Sequence, residues 1–503
     1  MPIHVVDIFA GPGGLGEGFS SYVPDGRSEP AFKISVSAEM ETNAARTLRL
    51  RSFFRQFPAG EVPESYYEYV RGNRDTPWTE ATRAEWEASC EEALQLTLGI
   101  AEHDQILADR VAKVARRSQP WVLVGGPPCQ AYSLVGRSRN KGNQDYRPEE
   151  DERHFLYRHY LELIRKFNPA VFVMENVKGI LSSKVGGSLI FPQIMRDLSR
   201  PGGRGGPRYH ILPLVAPRSG SEDDGSRFIL RAEELGVPQA RHRVILLGIS
   251  EELGSTMYTP IAAGPPTTHV EHVIRRLPRR RSGITKRRVQ LWPWDTERIL
   301  LATARIVQRT EERVAEELIK AARKLPASDP GSGGRWAPWA GDLEHLPAHL
   351  REWLHDPRLG GILNHEVRAH MADDLKRYAY VAAFTQVHKS SPKGPDDFPA
   401  ALYPDHQSWG GGGFSDRFKA QAWKRPSSTI TSHLSKDGHY FIHPDTSQLR
   451  SISVREAARL QTFPDNYFFE GSRGAQFRQV GNAVPPWMAH QIAGVVYSAL
   501  TSR

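Results

Sequence analysis

The chain has 503 residues, 39% apolar and 24% charged, with 66 Lys and Arg against 57 Asp and Glu, a net charge of +9. That length implies two or three folding units, the composition is that of a globular protein, and no stretch approaches the roughly 18–20 apolar residues of a membrane span. Two cysteines, Cys90 and Cys129, exclude a disulfide framework or a four-thiolate zinc site. The opening MPIHVVDIFAG has neither a basic leader nor a small-residue cleavage site, so no secretory signal is expected. A reducing cytoplasm and a free thiol at Cys129 follow as expectations, and a sequence pI near 9.4 favours an anionic partner.

The first predicted strand is HVVDIF from His4. It runs into DIFAGPGGLGEGF, Asp7–Phe19, where a glycine-rich turn opens a helix and Gly11, Gly13 and Gly16 satisfy GxGxxG. Such a turn lets backbone approach a ligand and aims free N–H groups at it. The next strand, KISVSAE from Lys33, ends in Glu39, an acid placed to accept hydrogen bonds from both hydroxyls of a ribose. A nucleoside-containing cofactor is expected; NAD and S-adenosylmethionine both satisfy this pattern. A helix is predicted over Ala44–Phe54, and the long stretch Phe53–Thr97 carries no assignment.

The strand WVLV, from Trp121, leads into GGPPCQAYS. Two prolines stiffen the backbone before Cys129, and cysteine is the most nucleophilic common side chain at neutral pH, through its thiolate. A helix over Phe155–Phe167 and the strand VFVMEN follow, the strand closing on Glu175. Ser199–Ser226 has loop composition. QARHRV then leads into the strand VILLGI, with Arg241 and Arg243 at i and i+2 on one side of an extended segment. Continuous β-branched strands alternating with helices predict a doubly wound α/β domain with a parallel sheet, binding its ligands at the strands' carboxyl ends.

From about Gly264 this rhythm fades. Arg275–Arg288 holds eight Lys or Arg and no acid, which reads as a nucleic-acid phosphate contact. Asp295 is placed to cap one helix reaching about Lys324. SDPGSGG at Ser328–Gly334 and GGGG at Gly410–Gly413 are breaks, SVREAARLQ reads as a helix before FPD, and a final helix follows Pro485–Pro486.

The order DIFAGPGG, GGPPCQAYS, ENV, QARHR, REAARLQTFPD and RQVGNAVPP resembles the DNA cytosine-5 methyltransferases, across nearly the whole chain. The resemblance implies S-adenosyl-L-methionine as cofactor and double-stranded DNA as partner. It implies an S-adenosylmethionine-dependent, Rossmann-like catalytic domain over 1–264, completed by 475–503. A smaller, irregular target-recognition domain over 265–474 would read base edges.

By the same resemblance Cys129 is the nucleophile that adds to carbon 6 of a flipped-out cytosine. Glu175 bonds ring nitrogen 3, and Arg241 holds the base, supported by Arg243 and Gln239. Phe9, Gly11, Gly13 and Gly14 surround the methionine moiety, Glu39 takes the ribose and Met40 the adenine face. Pro128 and Leu156 line the pocket, and Asn482 and Val484 close it. Asp104 is the candidate for the adenine amine, with Asp109 competing. The implied setting is a cytoplasmic, nucleoid-associated monomer beside a cognate restriction endonuclease. An RNA cytosine-5 methyltransferase of the same fold and a catalytically inactive DNA-binding relative are the alternatives.

Overall fold

The fold is taken from a computed structural model of the chain. It describes residues 1–117, 120–127, 156–185, 187–216, 225–254, 257–285, 294–341, 343–405, 409 and 417–502. The first half contains β1 (Ile3–Ile8), α1 (Gly14–Ser20), β2 (Phe32–Glu39), α2 (Thr42–Arg55), α3 (Glu64–Arg71), α4 (Arg83–Glu92), β3 (Ala93–Gln95) and α5 (Ala101–Arg117). Next come β4 (Trp121–Gly125), α6 (Leu156–Phe167), β5 (Val171–Val177), α7 (Phe191–Ser199), β6 (Tyr209–Leu212), β7 (Ile229–Arg231), β8 (Gln239–Ala240) and β9 (His242–Ser250).

The main sheet has the order β3-β2-β1-β4-β5-β9-β6, with β7 also paired to β9. Strands β1 to β5 are parallel. The VILLGI strand departs from the expected parallel run: β9 is antiparallel to β5, and β6 and β7 are antiparallel to β9. Strand β6 lies inside the stretch read as loop; its short YHIL run sits between glycine-rich and acidic segments that mask it. Alternation along the central strands serves two cores. Val122 and Val124 face one with Val5 and Val173, and Leu123 faces the other with Ile8 and Phe172. Burial on both faces explains the unbroken apolar runs.

The order reverses between β1 and β4, so a crevice opens at their carboxyl ends, where ligands bind in such sheets. Asp7 lies fully buried in β1, and neither carboxyl oxygen has a hydrogen bond of normal geometry among the described residues. Burial pushes its pKa up to about 8, and the adjacent Gly16 peptide offsets only part of this. The folded chain therefore keeps a proton that the unfolded chain releases above about pH 4. Stability from this group is complete below about pH 4 and is lost as pH rises towards 8. In Asp7→Asn the fall in melting temperature between about pH 5.5 and 8.5 should be smaller than in the wild type; an equal fall would remove Asp7 as its source.

The second half contains α8 (Val270–Ile274), α9 (Trp294–Val307), α10 (Glu312–Arg323), α11 (Ala348–Leu354), α12 (Ala372–His388), β10 (Ser427–Ser428), α13 (Val454–Leu460), α14 (Arg473–Asn482) and α15 (Pro486–Thr501). The single helix expected from Asp295 to Lys324 is two. Asp295 lies in the first turn of α9, and the chain folds back after Val307. The hairpin lets Leu300 and Val307 share one core with Val314, Leu318 and Tyr378; one straight helix would carry half of that stripe away.

The chain then returns to the first half. Strand β10 pairs with β8, and a Cβ on Gly14 would stand 2.1 Å from the Val484 carbonyl oxygen. Contacts also cross the boundary expected at 475, because Asn466 accepts from Arg51 of α2 at 2.9 Å.

Candidate active site

Phe9 follows β1 with φ 56, a left-handed conformation that costs a residue with a Cβ about 1–2 kcal/mol. Gly11 and Gly13 also have positive φ, at 56 and 96. The turn is tied to the end of β2 twice. The Ala10 N–H donates to Ala38 O at 3.1 Å, and the Gly11 N–H donates to Glu39 Oε2 at 2.9 Å. Glu39 Oε1 accepts from the Glu41 N–H at 2.8 Å. Burial pushes the Glu39 carboxyl above its ordinary range, against the pull of these N–H groups. Each oxygen keeps a further lone pair for a hydroxyl donor.

Around this turn Met40 is 61% exposed, Leu156 is half-buried at the start of α6, Asn482 is exposed at the end of α14, and Val484 is buried against Gly14. Asp104 serves its own loop: it accepts from the Gly99 N–H at 3.1 Å and pairs with His159 at 3.6 Å. Leu96, just past β3, is the residue that bonds the Glu39 carbonyl, at 3.0 Å. Asp109 accepts from Gln105 at 2.8 Å.

The second part of the site stands at the ends of β4 and β5. A Cβ on Gly126 would lie 2.7 Å from Glu175 Oε2, so the second glycine of GGPPC makes room for that carboxylate. Asn176 donates to Pro127 O at 3.4 Å and accepts from the Val177 N–H at 2.9 Å, which joins ENV to the loop before Cys129. Cys129 and Pro128 themselves lie outside the described residues.

The two arginines of QARHR do not share a side, contrary to the two-residue alternation expected of an extended segment. Arg243 Nε stands 2.7 Å from Glu175 Oε1, with both side chains slightly exposed at 13% and 14%. Arg241 is 1% exposed and donates to Ile430 O at 2.7 Å and Gly481 O at 3.2 Å. The Arg241 N–H bonds Gln239 O, a tight turn between β8 and β9 that interrupts the two-residue alternation. Gln239 works with Arg241: its side chain donates to Leu460 O at 3.1 Å and accepts from the Ile430 N–H at 2.8 Å.

Four arginines of the basic run have partners within the chain. Arg275 pairs with Glu271 at 2.9 Å, Arg279 with Asp445 at 3.4 Å and Arg281 with Asp329 at 2.5 Å. Arg280 donates to His365 O and Pro330 O. Residues 286–288 lie outside the described residues. Nearby, His269, Glu271 and His272 have metal-ligand spacing. Each ring, however, spends a lone pair on the other residue's backbone N–H at the start of α8, which leaves the second nitrogen of a neutral ring protonated.

A glycine turn beside an acid, and a carboxylate–guanidinium pair beside a proline-stiffened loop, share one sheet edge. The sequence model of the family described as C-5 cytosine-specific DNA methylase matches residues 81–299 and 344–498. The chain belongs to this family. The methylase is 31% identical to the type II methyltransferase M.Bpa9945I of Bacillus paralicheniformis over 99% of both chains. It is 26% identical to the type II methyltransferase M.AgeI of Thalassovita gelatinovora, over 99% of this chain and 100% of that one. It is also 26% identical to the DNA (cytosine-5-)-methyltransferase M.ApeKI of Aeropyrum pernix, over 75% and 79%. A crystal structure described as a DNA modification methyltransferase encoded within an Escherichia coli prophage aligns with a TM-score of 0.53 at 19% identity, over 99% of each chain; that likeness concerns the fold. The methylase is thus a DNA cytosine-5 methyltransferase with a Rossmann-like catalytic fold. Among the described residues no helix is long and apolar enough to cross a membrane.

Proposed function

We propose that this methylase moves a methyl group from S-adenosylmethionine to carbon 5 of a flipped-out cytosine in a specific duplex sequence, as the modification arm of a restriction system. The observation that carries the reading is the Glu175–Arg243 pair held against Gly126, one strand from the Gly11–Glu39 turn.

When bound, S-adenosylmethionine supplies an electrophilic methyl group. Glu39 would take its ribose hydroxyls, Met40 and Leu156 would flank the base, and Phe9 with Gly11 to Gly14 would follow the methionine moiety. Asn482 and Val484 would close the pocket, with Pro128 alongside. The Cys129 thiolate adds to cytosine carbon 6, which makes carbon 5 nucleophilic enough to accept the methyl group. Glu175 holds a proton at ring nitrogen 3 and offsets the charge of addition. Arg243 fixes the Glu175 carboxylate and faces the developing charge. Loss of the carbon-5 proton then expels the thiolate and restores the ring.

The division into a catalytic part, 1–264 with 475–503, and a recognition part within 265–474 belongs to this reading. In it, residues 427–470 serve as the joint between the two. The named type II relatives support a restriction-modification setting and a cognate nuclease. The test is expression in a host without cytosine methylation, followed by genome-wide mapping of 5-methylcytosine. Methylation confined to one short sequence is expected; methylation found only in RNA, or none, would overturn the reading.

A further inference from the structure

We propose that segment 53–97 positions the cofactor turn, with Tyr66 and Tyr67 acting together with Asp356 on the Asn466–Tyr467 corner. The proposal rests on the reading of Gly11–Gly14 and Glu39 as the S-adenosylmethionine site.

The segment is packed into the molecule. Val62, Tyr66, Tyr67 and Val70 are buried with Phe53 of α2 and with Leu359, Leu363 and Phe468 from the second half. Arg71 and Arg335 clamp the two parts by donating to backbone carbonyls on opposite sides, Arg71 to Arg358 O at 2.6 Å and Arg335 to Val70 O at 3.1 Å. The segment therefore bridges the cofactor half and the recognition half.

A polar chain runs from it to the glycine turn. The Tyr67 hydroxyl donates to Asp356 Oδ2 at 2.8 Å, and Asn466 Nδ2 donates to the same oxygen at 2.8 Å. Asp356 Oδ1 accepts from the Arg358 N–H at 2.9 Å. Tyr66 donates to Asn466 O at 2.9 Å. Asn466 Oδ1 accepts from Arg51 Nη1 at 2.9 Å, and Arg51 grips both oxygens of Glu17 at 2.8 and 2.5 Å. Glu17 lies within α1, the helix that opens directly after Gly13. The neighbouring Tyr467 donates its hydroxyl to Pro12 O, inside the turn.

The direction of these bonds gives Asp356 its role. A carboxylate only accepts, so it fixes the Asn466 amide with its nitrogen towards Asp356 and its oxygen towards Arg51. A flipped amide would set donor against donor at Arg51 and acceptor against acceptor at Asp356. Tyr67 and Asp356 thus set the polarity of Asn466, Asn466 sets the angle of Arg51, and Arg51 with Tyr467 holds the turn from both ends. Glu17, Arg51, Tyr66, Tyr67 and Asn466 are at most 8% exposed, and Asp356, at the end of the chain of bonds, is half-buried. Burial alone would raise the Glu17 carboxyl, but the Arg51 charge outweighs it and holds it below the ordinary range.

Tyr67 and Asp356 are positioning residues, and the test separates positioning from simple support. In Asp356→Asn the dissociation constant for S-adenosylhomocysteine, by calorimetry, and KM for S-adenosylmethionine should both rise about tenfold, with kcat at saturation within about twofold. Combined with Glu17→Gln, the effects should be clearly less than multiplicative, because both act through Arg51. Arg83→Ala, in the same segment but paired with Glu80 at the surface, should change neither constant. A merely structural role would lower melting temperature and active fraction while leaving the constants of the folded molecules unchanged, and that result overturns the proposal. If Asp356→Asn does not fold, Tyr67→Phe, which removes one hydroxyl, decides on the same readouts with a rise of about threefold. A wild-type protein that fails to bind S-adenosylhomocysteine would instead overturn the cofactor reading itself.

Discussion

Cys129→Ala should reduce methyl transfer to background, a loss of at least about 10⁴-fold in kcat, while cofactor affinity stays within about tenfold. The size follows from the chemistry. Cytosine carbon 5 does not attack a methyl group until a nucleophile has added at carbon 6. Glu175 and Arg243, the charged side chains held at this strand end, are a poor nucleophile and none at all. Cys90 is no substitute: it sits on α4, half-buried, and burial pushes its thiol above the ordinary range. The affinity should survive because the Gly11–Glu39 and Glu39–Glu41 bonds do not involve Cys129. Purified Cys129→Ala can be assayed for tritium transfer to unmethylated genomic DNA and for S-adenosylhomocysteine binding in parallel. Measurable turnover would remove the covalent step; loss of binding along with activity would mean that Cys129 shapes the cofactor pocket.

Much of this site was legible because its signals are local. A strand followed by glycines reads as a turn, and Glu39 at the next strand end reads as an acceptor. The structure joins the two through one hydrogen bond between residues 28 apart. GGPPC was partly legible: the prolines announce a stiff loop, but the need for Gly126 arises from a carboxylate on a different strand. What sequence does not carry is the direction in which a polar side chain turns when the backbone departs from regular alternation. The tight turn at Arg241 separated two arginines that spacing had placed together. The same holds for the basic run, whose acidic partners Asp329 and Asp445 lie far along the chain. Likewise, Arg51 and Asn466 meet across 415 residues, and Tyr66 and Tyr67 pack with Leu359, Leu363 and Phe468, so the place of segment 53–97 between the two halves emerges only from the folded chain.

The separation of the two arginines makes a prediction with opposite signs for neighbouring residues. Arg243→Ala should lower kcat by about 10²–10³-fold, the usual cost of losing one preorganised group at a developing charge, with a melting temperature close to wild type. Its side chain is on the edge of the site and its ion pair with Glu175 is partly solvated. Arg241→Ala should do the reverse and lose about 2–5 kcal/mol of stability, the cost of leaving two buried acceptors unsatisfied. It removes the donors to Ile430 O and Gly481 O and leaves those buried carbonyls unpaired, at the joint between the first half and the returning C-terminal segment. Burial, and then the charge of Arg243, already push the Arg241 guanidinium well below its ordinary pKa. The guanidinium is therefore retained for its geometry, and Arg241→Lys, with one compact donor head, should not restore both contacts. Urea unfolding and single-turnover kinetics on both variants compare the two effects directly. If Arg241→Ala proves stable and inactive while Arg243→Ala turns over normally, Arg241 faces the base and Arg243 is structural. The expected outcome assigns the charge-facing role to the second arginine of QARHR, because the Arg241 side chain is sealed at 1% exposure with both terminal nitrogens bonded to carbonyls, whereas Arg243 reaches Glu175 at the partly exposed strand end.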